Sequence, residues 1–281
     1  MPSLRKMQPT TLLGLVTFGV IVLVVMVGPL IYSQSADVVD FDLAIQPPSL
    51  VHPFGTNTLG QDQLARVMIG GRVSLTVGLA AMAMAVSVGT LIGAIAGFYG
   101  GLLGALLMRF TDLFLSLPQL PLSLLVIYLF GDTARSALGP QTGIFALVVL
   151  VIGGFNWMSV ARLVRAGFLA TRDRTFMQAV RALGAKPHRL IWHHLLPNVL
   201  GPVIVAATLA VGNAVLTEAT LSFLGLGFPP DVPTWGRMLY TAQDYLESAP
   251  HMAIFPGAAI FLTVLSINFI GDGLRDTLDA N

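Results

Sequence analysis

Long charge-free runs of apolar residues constrain this 281-residue chain more than any other feature of its sequence. The segment from Ser74 to Phe98, for example, contains no charged side chain. Hydrophobic residues make up 55% of the chain and charged residues 10%, whereas soluble domains carry about 25% charged residues. A soluble fold of this composition would expose large apolar patches. The sequence therefore predicts an integral membrane protein.

The apolar runs predict six transmembrane helices, at about 12–31, 74–98, 113–130, 143–161, 198–217 and 252–270. The first run is long enough to cross a hydrocarbon core of about 30 Å and exceeds the roughly 7–15 residues of a signal-peptide core. We interpret it as an uncleaved span; a secretory signal cleaved between Ser33 and Ala36 is the alternative. Pro118 and Pro121 interrupt the third run. The predicted fold class is all-α integral membrane, with an N-terminal span and external segment in 1–72 and a five-helix core in 73–281.

The distribution of Lys and Arg predicts the orientation. Six spans place both termini on one side, and eleven of the 15 Lys and Arg residues would lie on that side, including Arg5 and Lys6. The four on the other side are Arg66, Arg72, Arg135 and Arg237. Because basic loops stay in the cytoplasm, both termini are predicted to be cytoplasmic.

The polar segment between the first two spans predicts a short external helix. Thr58 and Gln61 have the spacing of a capping box, and Asp62 with Arg66 has the spacing of an i,i+4 ion pair. A turn over 52–57 precedes them. This helix is expected to lie on the outer membrane surface or against a partner there.

A second short helix is predicted in the basic stretch 173–198. Thr175 and Gln178 have capping-box spacing, and Gly184 with a positive φ would end the helix. The predicted apolar face consists of Phe176, Ala179, Val180 and Leu183. About nine helical residues are too few to be stable alone, so we infer a docking partner. The alternative is a basic loop that merely follows the charge bias.

Several chemistries are not expected. The only lysines, Lys6 and Lys186, lack the Gly-Lys-Ser/Thr context of a phosphate-binding loop, so ATP hydrolysis would belong to another polypeptide and this chain is not predicted to be an enzyme. There is no cysteine and no dense basic run typical of nucleic-acid binding. Phe269 stands where the Gly-x-Gly-Asp motif of an intramembrane protease, here around Asp272, needs glycine.

Polar side chains within apolar spans are candidates for lining a translocation path, because an unpartnered polar group in lipid is costly. They are Gln119, Asn156, Asn213 and Asn268. Hydrogen bonding between helices is the alternative for each. Glu218 is interpreted as a carboxylate at a pore rim or interface, with a proton relay of a secondary transporter as the alternative. The Gly89, Gly93 and Gly97 series is predicted to pack within the chain rather than in a dimer.

The basic stretch resembles the cytoplasmic coupling loop of ABC importer membrane subunits. That pattern reads Glu-Ala-Ala, three residues, Gly, about nine residues, then Ile-x-Leu-Pro. Here it reads Gln178-Ala179-Val180, Gly184 and His194-Leu195-Leu196-Pro197, so the Glu, one Ala and the Ile are replaced. The resemblance implies a type I importer permease fold with a coupling loop at about 167–197. The residues it implies for ATPase coupling are Thr175, Phe176, Gln178, Ala179, Val180, Leu183, Gly184, Leu196 and Pro197.

Other motifs are similar to the C-type permease of the dipeptide, oligopeptide and nickel branch. They are 52–57 with Leu59-Gly60-Gln61-Asp62, Leu221 to Gly227, Pro229-Pro230, Trp235-Gly236 and Gly271 to Asp276. The resemblance implies a bacterial inner-membrane importer for di- or oligopeptides, nickel, glutathione or another small solute. Implied partners are a homologous permease, two ATPase subunits that carry ATP and Mg²⁺, and an external solute-binding protein. No cofactor is expected in this chain. The expected contacts to the binding protein are His52, Phe54, Asn57, Asp62 and Arg66.

Overall fold

The computed structural model describes residues 8–279, and this part of the chain is helical apart from its loops and one isolated bridge between Thr56 and Asp62. Its ten α-helices are α1 (Pro9–Ile31), α2 (Gln63–Tyr99), α3 (Gly101–Ser116), α4 (Gln119–Leu138), α5 (Pro140–Arg172), α6 (Thr175–Ala182), α7 (Pro187–Arg189), α8 (Leu196–Phe223), α9 (Trp235–Ala242) and α10 (His251–Asp279). A π-helix, Leu190–Leu195, joins α7 to α8, and short 3₁₀ helices cover Phe41–Leu43 and Gln243–Tyr245.

The helices confirm the predicted all-α membrane fold. Five are long and apolar enough to cross a bilayer, and the pair α3 and α4, bent by 84°, makes a sixth span if it is counted as one. The bend lies where Pro118 was expected to break the third span. Leu117 is extended because the ring of the following Pro118 disfavours helical backbone there. Pro121 falls in the first turn of α4, where a missing N–H costs little.

Several helices extend well past their apolar runs. α2 begins at Gln63 rather than 74, and α5 continues to Arg172 rather than 161. The separate external helix predicted before the second span is therefore wrong: those residues form the first turns of α2. The backbone of an α-helix continues wherever its side chains find partners, and hydropathy reports only the part that lies in lipid.

Glycines allow α2 and α5 to pack closely along most of their length. A Cβ atom on Gly93 would collide with the carbonyl oxygen of Ala161, and one on Gly97 would lie 2.5 Å from the Cβ of Phe168. Buried Val160 and Val164 of α5 pack against this face of α2. The prediction that these glycines pack within the chain is confirmed.

The bundle has two chemically different ends. At the first, the side-chain amide of Gln8 donates to the Asp276 carboxylate at 2.8 Å, and Arg172 donates to the Gly97 carbonyl at 3.3 Å. This end also holds α6 and α7, and we call it the basic end. The opposite end, here the far end, holds residues 32–62 and 224–250. There the Trp235 indole donates to the Val67 carbonyl at 2.9 Å. Arg5 and Lys6, used to predict the orientation, lie outside the described residues.

The α2–α5 contact generates a stability prediction. Gly93→Ala is expected to lower the stability of the detergent-solubilised protein by about 1–3 kcal/mol, because the new methyl group must push the two helices apart. Gly154→Ala on α5 is the matched control, since a Cβ there meets nothing within 4 Å. Thermal unfolding followed by size-exclusion chromatography measures both. Equal melting temperatures for the two variants would contradict the proposed close contact.

Candidate functional site

The short helix α6 at the basic end begins one residue earlier in register than the sequence pattern suggested. Its N-cap is Arg174, with extended backbone, and no side chain caps it. Thr175 is already helical, so the predicted capping box of Thr175 and Gln178 is wrong. The Gln178 amide instead donates to the Asp173 carbonyl at 3.4 Å. A hydroxyl can cap only from a non-helical residue, and that position is occupied by Arg174.

One side chain anchors α6 to the bundle. Met177 is fully buried and packs with Val164, Phe168 and Leu195. Sequence reasoning missed it, because the predicted apolar face starts at the neighbouring Phe176. Hydrophobicity alone cannot decide which of two adjacent apolar residues turns inward.

The predicted apolar face of α6 is largely left uncovered by the chain. Phe176 is 41% exposed and Leu183 is 87% exposed. Ala179 is also exposed, while Val180 is half-buried beside the Met177 cluster. The structure therefore places these four predicted residues on one helix, and among them only Val180 packs against the buried cluster of this chain.

A Schellman motif closes α6, as Gly184 predicted. Gly184 has φ +80°, its N–H donates to the Arg181 carbonyl at 2.9 Å, and the Ala185 N–H donates to the Val180 carbonyl at 3.3 Å. A Cβ on Gly184 would meet nothing within 4 Å. Any steric constraint on this position, apart from its backbone conformation, must come from outside the chain.

Leu196 and Pro197 begin α8, directly after a π-helix that sequence reasoning did not find. Pro197 has no N–H to continue the regular ladder, and the Leu196 N–H bonds to the Ile191 carbonyl, five residues back. The widened turn buries both Leu190 and Leu195. In the sequence, Pro197 directly after the apolar residues Leu195 and Leu196 is the signal that could have indicated an irregular turn here.

Arg172, at the end of α5, differs from a free surface charge. Its side chain donates to the carbonyls of Gly97 and Phe98, at 3.3 and 3.5 Å, and pairs with Asp173. It therefore closes the C-terminal end of α2 and ties it to α5. Arg181 of α6 is exposed and takes part in none of the ion pairs within the described chain.

At the far end, Asp62 rather than Thr58 caps α2. Its carboxylate accepts from the Ala65 N–H at 2.7 Å and from the Tyr32 hydroxyl at 2.9 Å, and lies 2.8 Å from His52 Nδ1. Burial, and next the hydrogen bond to Asp62, raise the pKa of the Tyr32 phenol well above its ordinary value. The predicted capping box with Gln61 is therefore wrong.

The predicted pair of Asp62 with Arg66 is also not formed. Arg66 donates to the Gln61 side-chain oxygen at 2.7 Å and to the Ala36 carbonyl at 3.1 Å. Gln61 in turn accepts from the Asn57 amide at 2.8 Å. Arg66 turns toward the preceding loop because that loop supplies acceptors, while Asp62 is occupied by its cap.

The five residues expected to contact a binding protein mostly face inward. Asn57, Asp62 and Arg66 are buried, so a partner cannot reach them in this conformation. Phe54 stacks on Phe255 with 3.7 Å between ring centroids, and His52 holds Asp62. These side chains shape the external segment from within. Its exposed apolar surface is formed by other residues: Val38, Val39, Phe41, Leu50, Val51 and Leu59.

The candidate path residues do not form one cluster, and no hydrogen bond between their side chains occurs within residues 8–279. Gln119 lies half-buried at the α3–α4 bend, and the Asn156 amide donates to the Ile152 carbonyl of its own helix at 2.7 Å. Asn213 and Asn268 are exposed. Asn268 lines an open, mainly apolar groove of about 540 Å³ between α8 and α10, and Asn213 lies one turn before Leu216, which also lines it.

Glu218 lies in a closed polar network. Its carboxylate accepts hydrogen bonds from the Ser74 hydroxyl at 2.8 Å and the Ser222 hydroxyl at 2.7 Å, and it has no exposed surface. The Ser74 hydroxyl oxygen also accepts from the backbone N–H of Trp235 at 3.4 Å. The expectation of a carboxylate at a pore rim is wrong for this conformation, because α2, α8 and the start of α9 enclose the group.

Comparison with known proteins identifies the class to which this bundle and loop belong. Residues 89–281 match the family of binding-protein-dependent transport system inner membrane components, and the chain belongs to that family. It is accordingly a multi-pass inner-membrane permease subunit of an ABC importer, which works with ATPase and binding-protein partners.

Two relatives and one solved structure narrow the comparison. The chain is 38% identical over 274 residues to the dipeptide transport system permease protein DppC of Alkalihalophilus pseudofirmus, covering 98% of this chain and 86% of that protein. It is 40% identical over 240 residues to the glutathione transport system permease protein GsiD of Shigella flexneri, covering 85% and 76%. A chain of the inward-facing MetNI methionine ABC transporter shares the fold, with a TM-score of 0.55, 19% identity, and coverage of 75% of this chain and 94% of that one.

The Glu218 network generates a prediction that separates a structural role from contact with a solute. Glu218→Ala is expected to lower stability by about 1–3 kcal/mol, because it leaves buried hydroxyls of Ser74 and Ser222 without an acceptor. The measurement is thermal unfolding in detergent. The neighbouring Thr217→Ala, which removes only a bond to the Asn213 carbonyl, is the control. Unchanged stability of Glu218→Ala together with lost transport would instead favour a place in the path.

Proposed function

We propose that this permease imports di- or oligopeptides and that α6 transmits the movement of separate ATPase subunits to the membrane-spanning helices. The coupling role is supported by the exposed apolar surface of α6. One buried residue, Met177, fixes the helix to the bundle, while Phe176, Ala179 and Leu183 remain outward. An apolar surface at the end of a bundle, on a helix too short to be stable alone, fits a cleft on a partner.

The proposed assembly contains this chain, a homologous second permease, two cytoplasmic ATPases and an external solute-binding protein. Each permease would form half of the translocation path. ATP and Mg²⁺ would bind to the ATPases, since Lys6 and Lys186 lack phosphate-loop context and no cofactor is proposed for this chain. Closure of the ATPases would move α6 and reopen the path toward the binding protein. Thr175, Gln178, Leu196 and Pro197 would position the coupling face.

The proposal of a peptide substrate is supported by the relatives, which are named for dipeptide and glutathione transport. Glutathione is itself a short peptide. Nickel or another small solute is the alternative within the same family. Mass spectrometry of solutes retained by the cognate binding protein discriminates among these.

A secondary transporter is the alternative from a different class. Such proteins use ionisable groups within the membrane to couple ions. Glu218, the nearest candidate, is enclosed by Ser74 and Ser222 and has no exposed surface. Transport that requires a co-expressed ATPase separates the two classes.

We further propose that the basic end faces the cytoplasm, so that both termini are cytoplasmic. Positive residues concentrate at that end, with seven Lys and Arg between Arg162 and Arg189. The far end holds Arg66, Arg72, Arg135 and Arg237. The bias toward the basic end favours its retention inside the cell.

A pair of single cysteines tests this orientation in the naturally cysteine-free chain. Leu50→Cys at the fully exposed tip of the external segment should react with a membrane-impermeant thiol reagent in intact spheroplasts. Leu183→Cys, which replaces an 87% exposed residue beside α6, should react only after the membrane is opened. The reverse pattern would invert the proposed topology.

The coupling role is tested at Gly184. Gly184→Asp should leave membrane insertion intact but weaken ATPase binding and abolish uptake, because a side chain here strains a backbone with φ +80° by about 1 kcal/mol and projects toward the partner. Phe176→Ala should act in the same direction more mildly by removing apolar docking surface. Pull-down of the ATPases and solute uptake measure both effects.

Arg181→Ala is the control for this experiment, because Arg181 is exposed on the same helix and an exposed charge contributes about 0–1 kcal/mol. Arg172 is unsuitable, since it holds the end of α2. Normal uptake by Gly184→Asp would reduce the stretch to a basic loop.

A further inference from the structure

A second feature of the basic end is a cavity whose cationic wall has no part in the proposed coupling role. It has a volume of about 530 Å³ and is lined by the end of α6, by α7 and by His194 of the π-helix. Its walls are of two kinds. Val180, Leu183 and Ala185 form an apolar side, and Lys186, Arg189 and His194 are among the cationic or ionisable groups that form the other.

The charge around this cavity is not balanced within the chain. No Asp or Glu occurs between Asp173 and Glu218, and this stretch carries four Lys or Arg residues. Ion pairs form elsewhere in the described chain at His52, Arg135, Arg162 and Arg172, and none of these four includes a group that lines the cavity. The cavity therefore favours an anionic occupant.

The position of the cavity selects the kind of anion. No charged or histidine side chain follows His194 until Glu218, so His194 is the last such group before the span. Arg189 lies five residues earlier, about 7 Å along a helix axis. The headgroup layer of a bilayer is about 5–8 Å thick on each side, so with His194 at its inner edge these side chains would lie at the level of the lipid phosphates.

An aromatic side chain marks the same level. Trp192, on the π-helix between Arg189 and His194, is 55% exposed. Tryptophan is enriched at the boundary between headgroups and acyl chains. The ring of His188, which also lines the cavity, lies 6.3 Å from that of Trp192.

We propose that this cavity binds the headgroup of an anionic phospholipid, with its phosphate on Lys186 and Arg189 and its glycerol and first acyl carbons against Val180 and Ala185. Because the cavity shares Val180 and Leu183 with the coupling helix, a bound lipid braces the loop that the ATPase must push. The inference rests on the proposed function for the cytoplasmic location of this end. Its consequence is that the rate of coupled ATP hydrolysis depends on anionic lipid.

The test uses the complete importer in nanodiscs of phosphatidylcholine with and without phosphatidylglycerol. Binding-protein-stimulated ATP hydrolysis should increase with phosphatidylglycerol, and native mass spectrometry should find that lipid retained. Lys186→Gln with Arg189→Gln should lose both, since each removed charge weakens binding to an anionic surface by about fivefold. Lys186→Arg with Arg189→Lys should restore both, because the charge and not the residue type is required.

Arg174→Gln is the matched control, because Arg174 is an exposed cation in the same acid-free stretch and does not line the cavity. Equal lipid dependence in wild type, Arg174→Gln and the double Gln variant would overturn the proposal. So would full stimulation in phosphatidylcholine by inorganic phosphate, which would assign the site to a free anion. Loss of ATPase in pull-downs of the double Gln variant would assign these cations to the protein partner instead.

The pull-down also keeps this inference separate from the proposed function. If wild-type chain retains no ATPase in either lipid, the coupling proposal fails. If it retains the ATPases and hydrolysis is indifferent to lipid charge, only the lipid site fails.

Discussion

Close contact between α2 and α5 is the interaction on which the rest of this bundle depends. In a bilayer, burying an apolar side chain against another helix gains little over burying it in lipid, so helices associate where their backbones can approach. Gly89, Gly93 and Gly97 remove the side chains that would keep α5 away. At the far end α2 begins beside the external segment, and at the basic end α2 and α5 finish side by side. The contact between them therefore connects the two surfaces where partners are proposed to bind.

The joined pair also explains why Arg172 is more than a loop charge. It caps the last carbonyls of α2 from the last turn of α5, only three residues before α6 begins. A force on α6 therefore acts on a helix pair that is tied at its end as well as along its length. At the other end of α2, Asp62 ties the same helix to Tyr32 and His52 of the external segment. The helix pair therefore connects the basic end to the far end without a break. Its length is about 50 Å, because α2 has 37 residues, α5 has 33, and an α-helix rises about 1.5 Å per residue.

Hydropathy could predict the spans because the bilayer imposes the same demand on every residue within it. It could not predict helix ends, which depend on single backbone conformations. Thr175 and Thr58 both had capping-box spacing, yet Arg174 and Asp62 occupy the N-cap positions. The role of Gly184 could be predicted because the residue with positive φ that ends a helix is usually glycine. The positive φ of Gly184 is a local requirement, whereas the caps were decided by the surrounding fold.

Buried polar groups escaped prediction because their partners are far away in sequence. Ser74 and Glu218 are 144 residues apart, and Arg66 reaches the Ala36 carbonyl 30 residues earlier. Read from the sequence alone, such residues look like candidates for a wet path or a contact surface. The fold instead satisfies Glu218 and Arg66 internally, through the Ser74 hydroxyl and the Ala36 carbonyl.

The packing of α6 shows which of its surfaces are already used within the chain. Met177 is the buried side chain that holds the helix against the bundle, and burying such a side chain stabilises by about 1.5–3 kcal/mol. The Schellman hydrogen bonds at Gly184 fix the end of the helix from within it. Neither of these contacts involves Phe176 or Leu183, which point outward. These two side chains are therefore the apolar surface that a docking partner, as proposed, would cover.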